Sequence, residues 1–194
     1  MTRTIDAPTT SRWPARLTAD LDAADERARA LATSLSTEQL NWRPRTGGWS
    51  VGQCLEHLSA SNETYVDPIT DALRGCPVHP VDDITPSWFS RWFLRNYMEP
   101  RIDQPRARAP RKIQPTSSRL DASILDRFIA SNAKIREVIS AARNCDVNRV
   151  RFKNPFVSIV RFTVGVGILN LTRHNHRHLL QAERVTQAPD FPRD

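Results

Sequence analysis

Three histidines could do chemistry in this sequence, and two of them fall in one short run, RHNHRH at positions 173–178. A helix turns about 100° per residue, so His174 and His178 lie about 40° apart on one face, one turn separated, with His176 on the opposite side. Ile168, Leu171, Ala182 and Val185 share that face and make it the apolar seam of the helix. Burying two imidazoles there demands partners for every ring nitrogen. A divalent ion can take one nitrogen from each ring without leaving an imidazolium in the core. The third candidate, His57, sits in GGWSVGQCLEHLSASNETYV, 47–66, among residues that read as helix core. Facing helices of a bundle can bring such a residue to the pair.

Other metal chemistries fit less well. The chain has no H-E-x-x-H and no Glu-x-x-His, so neither a zincin helix nor a carboxylate-bridged di-iron bundle has its ligands. A three-imidazole set with an open position remains, which suits zinc, nickel or another borderline ion. Such an ion lowers the pKa of bound water toward about 7 or holds a thiol as thiolate. No Glu, Asp or Lys shares the inward face within a turn of the histidines. Ser61, Asn170 and Gln181 do, and they are read as groups that orient ligands or substrate.

The elements that must position these residues follow from apolar periodicity. It predicts four long helices. The first, about 12–34, carries Leu17, Leu21, Ala24, Ala28, Leu31 and Leu35. The second, about 51–74, carries Cys54, Leu58, Ser61, Tyr65, Ile69 and Leu73. The third, about 121–143, carries Ile124, Phe128, Ile135, Ile139 and Ala142, with Asn132 intruding, and the fourth spans about 164–187. Ser50 and Gln53 make a capping box at the start of the second helix, with Trp49 placed to staple onto Cys54. The stretch 75–117 is rich in proline and reads as a crossover that carries a short helix, PSWFSRWFLRNYMEP. It is either a lid or, through Trp88, Phe89, Trp92 and Phe93, a cap on one end of the core. A shorter connection at 144–163 contains Pro155 and the apolar FVSIVRF. The organisation expected is a flexible N-terminus (1–11), one all-α four-helix-bundle domain (12–187) and a tail (188–194).

Composition bounds the partners. The 194 residues suit one domain, and 39% hydrophobic with 25% charged residues describes a water-soluble chain. No apolar run reaches the roughly 18 residues of a membrane span, and MTRTIDAPTTSRWP has no apolar signal core, so no membrane and a cytoplasmic location are expected. The net charge of +7 is spread along the chain. Its densest run, RARAPRK at 106–112, lacks an aromatic platform, and nucleic acid is not expected as a partner. Three cysteines without a C-x-x-C pair are expected to be reduced thiols. Apolar residues outside the main seams, Ala23, Ala30, Leu125 and Ile129, together with the family resemblance below, suggest a homodimer.

The motif WxxGQxxxHL, present as GGWSVGQCLEHL, and HNxRHLxQAERV, present as HNHRHLLQAERV, resemble the two signature segments of the DinB-like (YfiT-like) metal-binding four-helix bundles. LSTEQLNWRP resembles that family's approach to its second helix, and the likeness runs from about residue 12 to 187. The resemblance implies a long crossover between the second and third helices. It also implies one divalent metal ion on three histidines, one on the second helix and two on the fourth, which land on His57, His174 and His178. Some members are thiol-dependent S-transferases or isomerases, others have been called hydrolases, and many have no assigned reaction. The function expected is therefore metal-dependent transfer of a low-molecular-weight thiol to a small electrophilic substrate. The alternatives are metal-dependent hydrolysis or non-catalytic, stress-related binding of a metal or small molecule.

Overall fold

The computed structural model describes residues 12–45, 47–99, 109–157 and 159–193. The expected flexible N-terminus, residues 100–108 of the crossover and the basic residues 106–108 lie outside the described residues.

In chain order the elements are α1 (Arg12–Ala32), α2 (Thr37–Asn41), α3 (Val51–Leu73) and α4 (Trp88–Phe93), followed by α5 (Ser123–Ala142), β1 (Arg151–Lys153), β2 (Arg161–Thr163) and α6 (Val164–Thr186). The fold is all-α apart from the two short strands. The four long helices form because each has one apolar face to bury. Leu17, Leu21, Ala24 and Ala28 of α1 are buried, as are Cys54, Leu58, Tyr65 and Ile69 of α3. So are Ile124, Phe128, Ile135 and Ile139 of α5 and Ile168, Leu171, Ala182 and Val185 of α6. At about 1.5–3 kcal/mol for each large side chain taken out of water, these faces are the main favourable term of the bundle. Both α1 and α3 pack against both α5 and α6. Leu125 and Ile129 pack against the core, whereas Ala23 and Ala30 are exposed.

The core is split into two apolar blocks, and between them each long helix buries a polar residue: Asp25, Asn62, Asn132 and Asn175. Asn132 joins them. Its Nδ2 donates to Asp25 Oδ1 at 2.7 Å, and its Oδ1 accepts from Asn62 at 3.0 Å and from Asn175 at 2.7 Å. Arg136 closes the ion pair with Asp25 Oδ2 at 2.8 Å. A slip of any helix would leave these buried groups without partners, so the layer fixes helix register where apolar packing alone would tolerate a shift.

Two capping boxes set the helix starts, Ser36 with Gln39 at α2 and Ser50 with Gln53 at α3. Gly47 and Gly48 have φ of 83° and 126°, left-handed values that a side chain would strain, and they turn the chain into α3. In the crossover, α4 continues as a π-helical turn, Leu94–Met98, and a 3₁₀ turn spans Arg111–Ile113. The cap reading is corrected for three of its four aromatics. Trp88, Phe89 and Trp92 are 73%, 44% and 48% exposed, and only Phe93 packs on the core, with Leu94 buried beside it. The buried edge of α4 carries the small Ser90, and the large side chain buried at this point is Leu94, which opens the π-helical turn after it.

Periodicity missed the hairpin. β1 and β2 pair antiparallel, with Phe152 opposite Phe162, both buried. Strands of three residues show one inward side chain each, too few for alternation to be read. Gly167 seats them, since a Cβ there would lie 2.6 Å from the Phe152 ring.

The thiol expectation is also corrected. Cys76 and Cys145 form a disulfide between the chain just beyond α3 and the chain just beyond α5. Only the buried Cys54 is free, and burial pushes its thiol up to about 12, which keeps it inert. An odd count excludes pairing all three cysteines but not two, and the antiparallel run of the helices brings their ends together. The bridge spans a sequence separation of 69 residues. Replacing both cysteines by serine is expected to cost about 3 kcal/mol, read from chemical denaturation midpoints. An unchanged midpoint would show that the bridge does not constrain the unfolded chain. Among the described residues, no helix is long and apolar enough to cross a membrane.

Candidate metal centre

His57 enters the bundle in the second turn of α3, and His174 and His178 face it from consecutive turns of α6. One ring nitrogen from each of the three lies within 4.8 Å of the others, and all three residues are buried. The ring centroids are 4.6–4.9 Å apart, and His57 Nε2 lies 3.2 Å from His174 Nε2. His176 faces the other way, toward Asp20 and Arg27 of α1.

The hydrogen bonds assign the tautomers. His57 Nδ1–H donates to the Ile113 carbonyl at 2.6 Å, which leaves its Nε2 as a bare lone pair. His178 Nδ1–H donates to Gln181 Oε1 at 2.9 Å, with the same consequence. His174 Nδ1 is buried without a partner. All three rings are held neutral. Burial lowers the His57 pKa to about 4, with Arg177 adding to the effect against the Ile113 bond. His174 is pushed well below the ordinary value by burial, then by His178, His57 and Arg177. His178 is pushed the same way by burial, then by His57 and Arg177. Neutral imidazoles with inward lone pairs, two of them oriented from behind by a hydrogen-bond acceptor, are the donor set a divalent transition ion needs. Without an ion the cluster has too few protons to satisfy its inward nitrogens. The residues present fit a metal.

The crossover supplies part of the frame. Its 3₁₀ turn packs on α3 and brings the Ile113 carbonyl to His57. Just beyond, Ser117 accepts from Gln53 through its carbonyl and donates to Glu56 Oε1 at 2.7 Å, tying the crossover to the first turns of α3.

A family model described as the DinB superfamily matches residues 20–182. The chain belongs to the DinB superfamily. Comparison with curated proteins and with solved structures gives no match.

In this DinB chain the expected orienting residues fall in different places. Gln181 reaches a histidine ring. Ser61 and Asn170 are buried on the inward faces, but among the described residues neither hydrogen-bonds a histidine, and Asn170 Oδ1 has no partner. Three contributors were not singled out from sequence as parts of the centre. Trp49 lies against both His57 and His178, at centroid distances of 4.6 and 5.6 Å. Its place in the GGW motif was a usable signal. Arg177 is half-buried, donates to the Tyr97 carbonyl and places a positive charge beside the rings. The Ile113 carbonyl is backbone from a distant segment, and no residue type announces it.

Proposed function

We propose that the DinB chain is a metal-dependent transferase in which His57, His174 and His178 hold one divalent ion, zinc or nickel, and a low-molecular-weight thiol is activated for attack on a small electrophile. The carrying observation is the convergence of three neutral imidazoles whose second nitrogens point away from the centre, two of them already hydrogen-bonded. Three protein ligands leave a coordination position for an exogenous group. A divalent ion there supplies the positive charge that keeps a thiol deprotonated near neutral pH. Arg177 adds to that field. Gln181 and Ile113 hold the rings in orientation, and Trp49 covers one side of the cluster. In the transfer the thiol proton goes to solvent, sulfur forms the new bond to carbon, and the displaced group leaves with the bonding pair. A thiolate needs no further general base, in keeping with a cluster that, among the described residues, consists of three histidines and includes no carboxylate.

The burial of the three rings favours one second reading, a non-catalytic metal site that stabilises the bundle. Cobalt-loaded protein separates the two. Titration with a panel of low-molecular-weight thiols is expected to produce a sulfur-to-cobalt charge-transfer band, and thiol with an electrophilic dye is expected to give a conjugate faster than without protein. A cobalt spectrum that ignores every thiol would leave the structural reading in place.

A further inference from the structure

Apart from the histidine centre, α1, the α4 segment and α6 line an open cavity of about 730 Å³, within the range of small-ligand sites. None of the three histidines lines it. Four arginines do, Arg16, Arg91, Arg95 and Arg173, with Glu99 as the one lining carboxylate.

The charges do not balance. Arg16 is neutralised by Asp83, its two terminal nitrogens at 3.1 and 2.7 Å from the carboxylate oxygens. Arg173 approaches Glu99 at 3.8 Å, an ion pair beyond hydrogen-bond length, so its donors remain available. Arg91 donates to the Pro86 carbonyl at 2.9 Å, which fixes the side chain without cancelling its charge. Arg95 has no ion pair or hydrogen bond among the described residues. Two guanidinium charges are therefore left over at the cavity.

The backbone beneath them is unusual. Leu94–Met98 is a π-helical turn, closed by the Glu99 N–H on the Leu94 carbonyl at 3.0 Å. Such turns are rare and concentrate at functional sites. Here the wide turn is anchored by buried Leu94 and presents Arg95, Asn96 and Glu99 to one cavity. Ile84 and Leu169 form an apolar wall, and the half-exposed Trp92 indole forms a flat one.

We propose that this cavity is a second binding site, for a small organic dianion: a doubly charged acid group, phosphate ester or dicarboxylate, on a compact apolar or aromatic body. Guanidinium forks take planar or tetrahedral oxyanions in pairs of hydrogen bonds, and an indole takes the flat body. Arg91 and Arg95 supply the uncompensated charge, Arg173 the adjacent donors. Glu99 sits where the acid group would compete for Arg173 and sets the strength of binding from the opposite direction. The site operates whether or not the histidine centre carries metal.

The test titrates full-length protein with phenyl phosphate, following tryptophan fluorescence and heat, with phthalate, inorganic phosphate and phenol as comparison probes. Phenyl phosphate and phthalate are expected to bind saturably below about 1 mM. Inorganic phosphate should bind more weakly, phenol should show no saturation, and binding should weaken as salt rises. Arg91→Gln and Arg95→Gln, both at exposed positions, should each weaken phenyl phosphate about tenfold, while Glu99→Gln should tighten it severalfold. A purely structural role for these side chains cannot give opposite signs. Absence of saturation up to about 10 mM, arginine variants equal to wild type, or a weakened Glu99→Gln variant would each overturn the proposal. Phenol binding as tightly as phenyl phosphate would do the same, since the site would then be apolar only.

Discussion

Alanine at His57, His174 or His178 is expected to reduce the affinity for a divalent transition ion about a thousandfold in each case. A full structural ligand set is worth about 10–16 kcal/mol, so one ligand in three or four carries about 4 kcal/mol, which is that factor in affinity. The three rings converge through separate nitrogens, and no fourth histidine lies near enough to substitute. His176→Ala and His79→Ala should bind as wild type, because His176 faces α1 and His79 lies out near Asp146. Gln181→Leu should fall between the groups, losing about 10- to 100-fold, as expected of a residue that orients a ligand without touching the ion. Competition against a chromophoric chelator, run with zinc and with nickel, measures all six proteins. Equal losses at His176 and His174 would mean that the inward face has been assigned wrongly, and a Gln181 variant equal to wild type would mean that His178 is held by packing alone.

The second large effect is acid sensitivity of the metal-free protein. The folded-state pKa of His57 is lowered from 6.5 to about 4, and those of His174 and His178 are also lowered. The unfolded chain therefore binds more protons than the folded one below about pH 6.5. Stability is fully present above that pH and is lost as pH falls toward the folded pKa values. His57 alone accounts for about 2.5 pH units, or about 3 kcal/mol, and the other two rings act in the same direction. After chelation, denaturation midpoints of wild type should fall steeply from pH 6.5 to pH 4. His57→Leu removes one of the three proton sinks. It also removes a bond to the Ile113 carbonyl, a loss of about 1 kcal/mol near neutral pH. The chelated variant should thus be slightly less stable than wild type at pH 7.5 and more stable at pH 5. With metal present it should be less stable at pH 7.5 by a margin that grows with metal concentration, because the ion binds the folded state. A stability difference that ignores both pH and metal would place His57 in the packing and the metal site elsewhere.

The sequence by itself determined the four helices and the inward faces they carry. Ser50 and Gln53 marked the start of α3, apolar spacing marked the seams, and the i,i+4 pair His174 and His178 stood out because polar rings interrupt an otherwise apolar seam. These signals are local: a helix repeats within four residues, so its face is written in a window the eye can scan. The third histidine of the cluster, His57, needed the further premise that α3 and α6 are neighbours, which bundle packing and the DinB motifs supplied. Tertiary structure alone decided the rest. The Ile113 carbonyl reaches His57 from 56 positions away, the Cys76–Cys145 bridge joins residues 69 apart, and Arg16 meets Arg95 and Arg173 at one cavity. Asn132 was visible as an intruder on its seam, yet its partners Asp25, Asn62 and Asn175 came into view only once the helices were set side by side. Contacts of this kind depend on where a connection lays its backbone. That path is chosen by the sum of weak packing terms over the whole chain, and no periodicity within one segment records it.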